Sequence, residues 1–123
     1  MTEPKLRGRR ILVVEDDYFI AGDMQDGLSA EGAFVAGPVA TVREALELFE
    51  RERLDGAVLD VNLGEEESFP VAAALRAAGT PFVFVTGYNS GDLPAAWAGI
   101  RRLEKPVSAQ TVARALFGDD GAD

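Results

Sequence analysis

A chain of 123 residues with 47% hydrophobic content is long enough for one domain with its own core and too short for two. It has neither cysteine nor histidine, which excludes disulfides, thiol chemistry, histidine general bases and the commonest zinc ligands. Its 21 acidic and 12 basic residues give a net charge of -9, a field that repels phosphate backbones and argues against nucleic acid as a partner.

Arg7, Arg9 and Arg10 precede the first apolar run, Ile11-Leu12-Val13-Val14, which stops at Glu15-Asp16-Asp17. Four apolar residues fall short of the ~7 of an export signal and the ~20 of a membrane span, so the run is read as a strand of a cytoplasmic, soluble protein. Ile20, Met24 and Leu28 then recur at helical spacing, and Gly32 stops that helix. A weak strand over residues 33–36 is closed by Gly37-Pro38. Thr41 heads the next helix with Glu44 three residues on, a capping box, and Val42, Ala45, Leu46 and Phe49 form its buried face.

The central strand runs over about residues 56–61 and opens into a polar loop, Asn62 to Glu67, whose Glu65-Glu66-Glu67 run reads as a solvated loop. Ser68 is the expected cap of a third helix carrying Val71, Ala74, Leu75 and Ala78 and ending at Gly79. The fourth strand, Pro81 to Thr86, leads into Gly87-Tyr88-Asn89-Ser90-Gly91. Only residues 93–98 remain for a short, mobile fourth helix with Trp97 packed inward, before a fifth strand over 99–103. Ser108 caps the last helix, with Val112, Ala115 and Leu116 on its apolar face, and residues 118–123 form an acidic, frayed tail. Strict alternation of five strands and five helices predicts one α/β domain built on a parallel sheet, with no output domain attached.

In an open parallel sheet, ligands bind at the carboxyl ends of the strands. There the sequence places Asp16 with Glu15 or Asp17, then Asp60, Thr86 and Lys105. Carboxylates about 5 Å apart repel by roughly 3 kcal/mol per pair at an effective dielectric near 20, so the group calls for a cation. Hard oxygen ligands without histidine or cysteine select magnesium or manganese. Metal, lysine and hydroxyl together suit a phosphoryl group, with Asp60 as nucleophile and backbone amides around Asn62 and Gly87 as further donors.

These residues resemble the receiver domain of bacterial two-component response regulators. Val14-Glu15-Asp16-Asp17 is similar to the family's acidic pair, Leu59-Asp60-Val61-Asn62-Leu63 to its phosphorylation site, Thr86-Gly87 to its hydroxyl and small residue, and Glu104-Lys105-Pro106 to its lysine and commonly cis proline. The resemblance covers about residues 10–118 within a single domain over 1–123. It implies a flavodoxin-like doubly wound sheet of order 2-1-3-4-5, Mg2+ held by Asp16, Asp60, Asn62 and Glu15, and catalytic roles for Asp60, Lys105 and Thr86. It also implies a phosphoryl donor that is a sensor histidine kinase or histidine phosphotransfer protein, a monomer or weak homodimer, and no chemistry beyond self-phosphorylation and autodephosphorylation.

Pro81-Phe82-Val83-Phe84-Val85-Thr86-Gly87-Tyr88 is similar to the signature of the FATGUY group of single-domain receivers, with Val85 in place of alanine. Some members of that group act in stress signalling, which makes a stress phosphorelay the implied setting. Arg102 stands where many receivers carry a switch aromatic, so the resemblance moves the switch to Thr86, Gly87, Tyr88 and Pro106. A phosphate sink within a relay is a second role for the same site. Two other classes are disfavoured by residues. A haloacid-dehalogenase-type phosphatase places an aspartate two positions after its nucleophile, where this chain has Asn62, and a flavin-phosphate loop would not carry Glu15-Asp16-Asp17.

Overall fold

Residues 5–87 and 93–118 are described by a computed structural model. The elements in chain order are β1 (Arg10–Val14), α1 (Tyr18–Ala30), β2 (Phe34–Val39), α2 (Val42–Arg51), β3 (Gly56–Asp60), α3 (Phe69–Ala78), β4 (Phe82–Thr86), a 3-10 turn (Ala95–Trp97), β5 (Arg102–Glu104) and α4 (Ala109–Phe117). All strand pairs are parallel, in the order β2-β1-β3-β4-β5.

Side chains of successive strand residues point to opposite faces, and here both faces are apolar. Leu12, Val14, Ala57, Leu59, Phe82 and Phe84 pack with Ala45, Val71 and Leu75 of α2 and α3. Ile11, Val13, Val58, Val83 and Val85 pack with Met24, Leu28 and Val112 of α1 and α4. The sheet is therefore doubly wound, with two cores sharing its strands, and its polar strand ends gather at one edge.

The caps explain where the helices start. Asp17 accepts hydrogen bonds from the Phe19 and Ile20 amides, both 3.0 Å, and so begins α1. The Glu44 amide donates to Thr41 Oγ1 at 3.1 Å, while Glu44 reaches back to the Ala40 amide at 3.3 Å. The box closes one residue earlier than its usual form, on the same helix end. Gly79 ends α3 in the left-handed region, with φ of 75°.

Five expectations are corrected. The strand predicted to close at Gly37-Pro38 continues through them to Val39. β2 is an edge strand, where a proline lacking an N–H is tolerated, and the pairing with β1 shifts register between Leu12 and Val14. In α1 the buried face is Ala21, Met24 and Leu28, whereas Ile20 is 37% exposed. Ser68 stands at the cap of α3 without a side-chain capping bond: its hydroxyl is buried with no partner among the described residues, and its carbonyl accepts from the Val71 and Ala72 amides.

The fourth expected helix is only the 3-10 turn, which leaves four α-helices among the described residues. The Trp97 amide donates to Pro94 and the Ile100 amide to Trp97, so the chain turns until Arg102 and β5 starts later than residue 99. Packing explains the brevity: Trp97 is buried against Phe69, Phe82 and Phe84, and Arg76 lies 3.9 Å above its ring. No helix among the described residues is long and apolar enough to cross a membrane.

Candidate functional site

Asp60 ends β3, Glu15 and Asp16 follow β1, Thr86 ends β4, and Lys105 follows β5. Parallel pairing in register brings these ends together, because Val14 lies beside Leu59 and Asp60 beside Val85. Glu15, Asp60 and Thr86 are buried, and Asp16 is exposed. One carboxylate oxygen from each of Glu15, Asp16 and Asp60 lies within 4.8 Å of the others.

Lys105 joins two of these groups. Its Nζ is 2.7 Å from Glu15 Oε1 and 2.9 Å from Asp60 Oδ2. Its backbone amide donates to the Thr86 carbonyl at 2.9 Å, which fixes the start of the lysine's reach. The Lys105–Pro106 bond is cis, as the resemblance implied. On the other oxygen of Asp60, the Asn62 amide makes a longer 3.3 Å contact.

Burial and the neighbouring Asp60 push the Glu15 carboxyl up to about 7, against the opposing pull of Lys105 and of the Asp17 amide, which donates to Glu15 at 3.1 Å. For Lys105, burial acts to lower the pKa, but hydrogen bonds to Asp60 and Glu15 outweigh it and the pKa is raised. The site is thus short of positive charge: three clustered carboxylates face one ammonium. Oxygen donors alone at this spacing suit a hard cation such as magnesium.

Glu15 and Asp16 thus join Asp60, while Asp17, the sequence's other option, is occupied as the α1 cap. Thr86 lies buried at the strand end, and Gly87 follows it. Tyr88 lies outside the described residues. Arg102, at the position of the usual switch aromatic, is exposed at the start of β5.

Two features escaped the sequence reading. Tyr18 and Phe19 are 83% and 78% exposed and form an edge-to-face pair, centroids 5.5 Å apart, on the first turn of α1 beside Asp16. Their phase could have revealed them, since they fall off the Ala21, Met24, Leu28 face. Glu65, Glu66 and Glu67 are exposed, as the solvated-loop reading expected, and the Glu66 carboxylate also accepts from the Val42 amide at 3.0 Å. A contact 24 residues apart leaves no local signal. On the α1–α4 side a cleft of about 590 Å³ opens onto Asp60 and Lys105, bordered by Ile20, Met24 and Val107.

Comparison with known proteins adds to this geometry. A family model described as "Response regulator receiver domain" matches residues 11–116. The chain is similar to the solution structure of SdrG from Sphingomonas melonis Fr1, with 40% identity and a TM-score of 0.78, covering 94% of this chain and 96% of that one. A CheY-like receiver domain protein from Methanospirillum hungatei JF-1 is 30% identical, with a TM-score of 0.71, over 84% of this chain and 86% of its own. The transcriptional regulatory protein PdtaR of Mycobacterium tuberculosis is 29% identical over 86 residues, 69% of this chain. The chain spans only 42% of that relative's length.

Proposed function

The chain belongs to the response regulator receiver domain family, and on that premise we propose that it is a phosphoacceptor module in which Asp60 takes the phosphoryl group. Receiver domains are signalling modules of two-component systems, and their partners are histidine kinases or phosphotransfer proteins. The observation that carries the reading is the bridge of Lys105 between Asp60 and Glu15 beside a third carboxylate, Asp16. It is an arrangement suited to a nucleophilic carboxylate that must tolerate an incoming dianion.

A carboxylate oxygen of Asp60 attacks the phosphorus of a donor phosphohistidine. The P–N bond breaks, its electron pair stays with the departing imidazole, and an acyl phosphate forms. Lys105, already 2.9 Å from Asp60, balances charge on the phosphoryl oxygens. Thr86 offers its hydroxyl from the neighbouring strand end, and the amide of Asn62 supports the loop side of Asp60.

Glu15, Asp16 and Asp60, with Asn62 beside them, are the residues that would hold magnesium; the clustered oxygen donors fit it. Bound there, magnesium supplies positive charge against the phosphoryl oxygens. The exposed Tyr18–Phe19 pair, next to Asp16, gives the donor protein an apolar surface at the mouth of the site. Rearrangement of Thr86, Gly87, Tyr88 and Pro106 transmits the phosphorylated state. The setting we favour is the stress relay implied by the FATGUY signature, in the cytoplasm.

Acetyl phosphate with magnesium, followed on a phosphate-affinity gel, tests the reading. Wild type is expected to shift and Asp60→Asn is not. Equal labelling of the two would overturn the assignment of Asp60.

A further inference from the structure

The loop after Asp60 is a small hairpin. Asn62 and Glu67 form an antiparallel bridge, the Leu63 amide donates to the Glu66 carbonyl at 2.8 Å, and the Ser68 amide to Val61 at 3.0 Å. Leu63 is buried in the α2–α3 core and anchors one side. Gly64, with φ of 84°, forms the tip, where an added Cβ would stand 3.5 Å from Asp16 Oδ2. The tip therefore lies against Asp16, the exposed member of the carboxylate cluster.

Glu66 ties this hairpin to a different element. Its carboxylate accepts from the amide of Val42, the first residue of α2. The first amides of a helix lack partners within it and carry the positive end of its dipole, so an anion there is favoured. Thr41 Oγ1 takes the Glu44 amide and Glu66 takes that of Val42. The α2 terminus is thus completed by a residue from the phosphoacceptor loop.

We propose that Glu66 is a positioning residue for phosphoryl transfer, holding the 62–67 hairpin over Asp16 and Asp60 through the Val42 amide. The inference rests on the phosphoacceptor reading and assigns a role to a residue outside the reacting groups. The Asn62 amide reaches Asp60 only at 3.3 Å, so a modest lift of the hairpin removes it. The same lift withdraws Gly64 from Asp16. A misplacement of about 1 Å can cost up to 100-fold in rate even when it starts far from the reacting atoms.

Two substitutions break the tether from opposite ends. Glu66→Ala removes the acceptor. Val42→Pro removes the donor at a position where proline is tolerated, and Thr41 before it already has the extended conformation proline requires, with φ of -131° and ψ of 157°; it also trims the half-buried Val42 side chain from the α2–α3 core, a loss the melts register and Val42→Ala controls for. Initial rates of labelling by acetyl phosphate are measured across a magnesium titration, with circular dichroism melts in parallel.

Each single variant is expected to slow labelling roughly tenfold at saturating magnesium. The double variant should be no slower than either, because both break one contact. Glu66→Gln, which keeps an acceptor oxygen, should stay within about twofold of wild type. Wild-type rates in Glu66→Ala overturn the proposal, as does a defect that folded Val42→Pro does not share. If Val42→Pro fails to fold, equal rates for Glu66→Ala and Glu66→Gln overturn it. A wild-type protein that never labels overturns the phosphoacceptor reading itself, and the role of Glu66 with it.

Discussion

Lys105 Nζ lies closer to Glu15, at 2.7 Å, than to Asp60, at 2.9 Å. One ammonium therefore serves two buried carboxylates, and neither is neutralised by it alone. Much of the site's expected behaviour follows from that sharing.

Removing the ammonium leaves two adjacent buried carboxylates with no cation. Lys105→Met is expected to destabilise the metal-free fold by about 3 kcal/mol, the cost typical of breaking a buried pair. It should also abolish labelling of Asp60. Because a ligand that binds only the folded state stabilises it, millimolar magnesium should restore more of the melting temperature in Lys105→Met than in wild type. Thermal melts with and without magnesium check this.

Glu15 has a folded pKa of about 7 against 4.5 in the unfolded chain. Between those values the folded state binds the extra proton, so unfolding becomes easier as pH rises. The contribution is fully present below about 4.5 and lost as pH passes 7. At 1.36 kcal/mol per unit it amounts to at most about 3 kcal/mol, reduced by solvent screening from the Asp16 side. Metal-free wild type should lose stability from pH 5 to 8 relative to Glu15→Gln, measured by urea unfolding. Magnesium binding near pH 6.5 should release a proton in wild type and none in the variant, seen by calorimetry in buffers of different ionisation heat.

Arg76 stacks on Trp97 at 3.9 Å and donates to the Ala96 carbonyl at 2.9 Å, so it holds the 3-10 turn from both sides. Arg76→Ala is expected to cost about 1 kcal/mol and shift tryptophan emission to the red. Trp97→Ala, which empties the aromatic cluster, should cost about 3–5 kcal/mol. Denaturant titration separates the two.

Gly37 has φ of 96°, and a Cβ added there would stand 2.8 Å from the Val39 amide nitrogen and 3.1 Å from the Val13 carbonyl oxygen. Both contacts are backbone, which cannot step aside. Gly37→Ala should destabilise by about 2 kcal/mol or more through the forced conformation, with the melting temperature as readout.

β1, β3 and β4 were legible because their apolar runs alternate with helical segments, the pattern of a parallel sheet covered by helices on both faces; β2 and β5, more polar, were legible only in place and not in extent. Helix starts at Thr41 and Ser108 were legible because capping is local. So were Asp60 and Thr86, each at the end of an apolar run, whereas Lys105 follows the mixed segment Ile100-Arg101-Arg102-Leu103-Glu104 and was placed by the motif Glu104-Lys105-Pro106. Ser68 shows the limit of that logic: it occupies the cap position, yet burial took its hydroxyl out of the capping role.

Sequence alone determined which residue types reach the strand ends, since the backbone period dictates that. It could not choose between Glu15 and Asp17, because adjacent carboxylates are chemically alike. The turn from β1 into α1 decided it, spending Asp17 on two amides and facing Glu15 to Lys105. Nor could it see that β2 passes through Gly37-Pro38, which depends on being an edge, or that Glu66 meets Val42. Those outcomes depend on which elements become neighbours, and a contact between distant segments exists only once the sheet has brought them together.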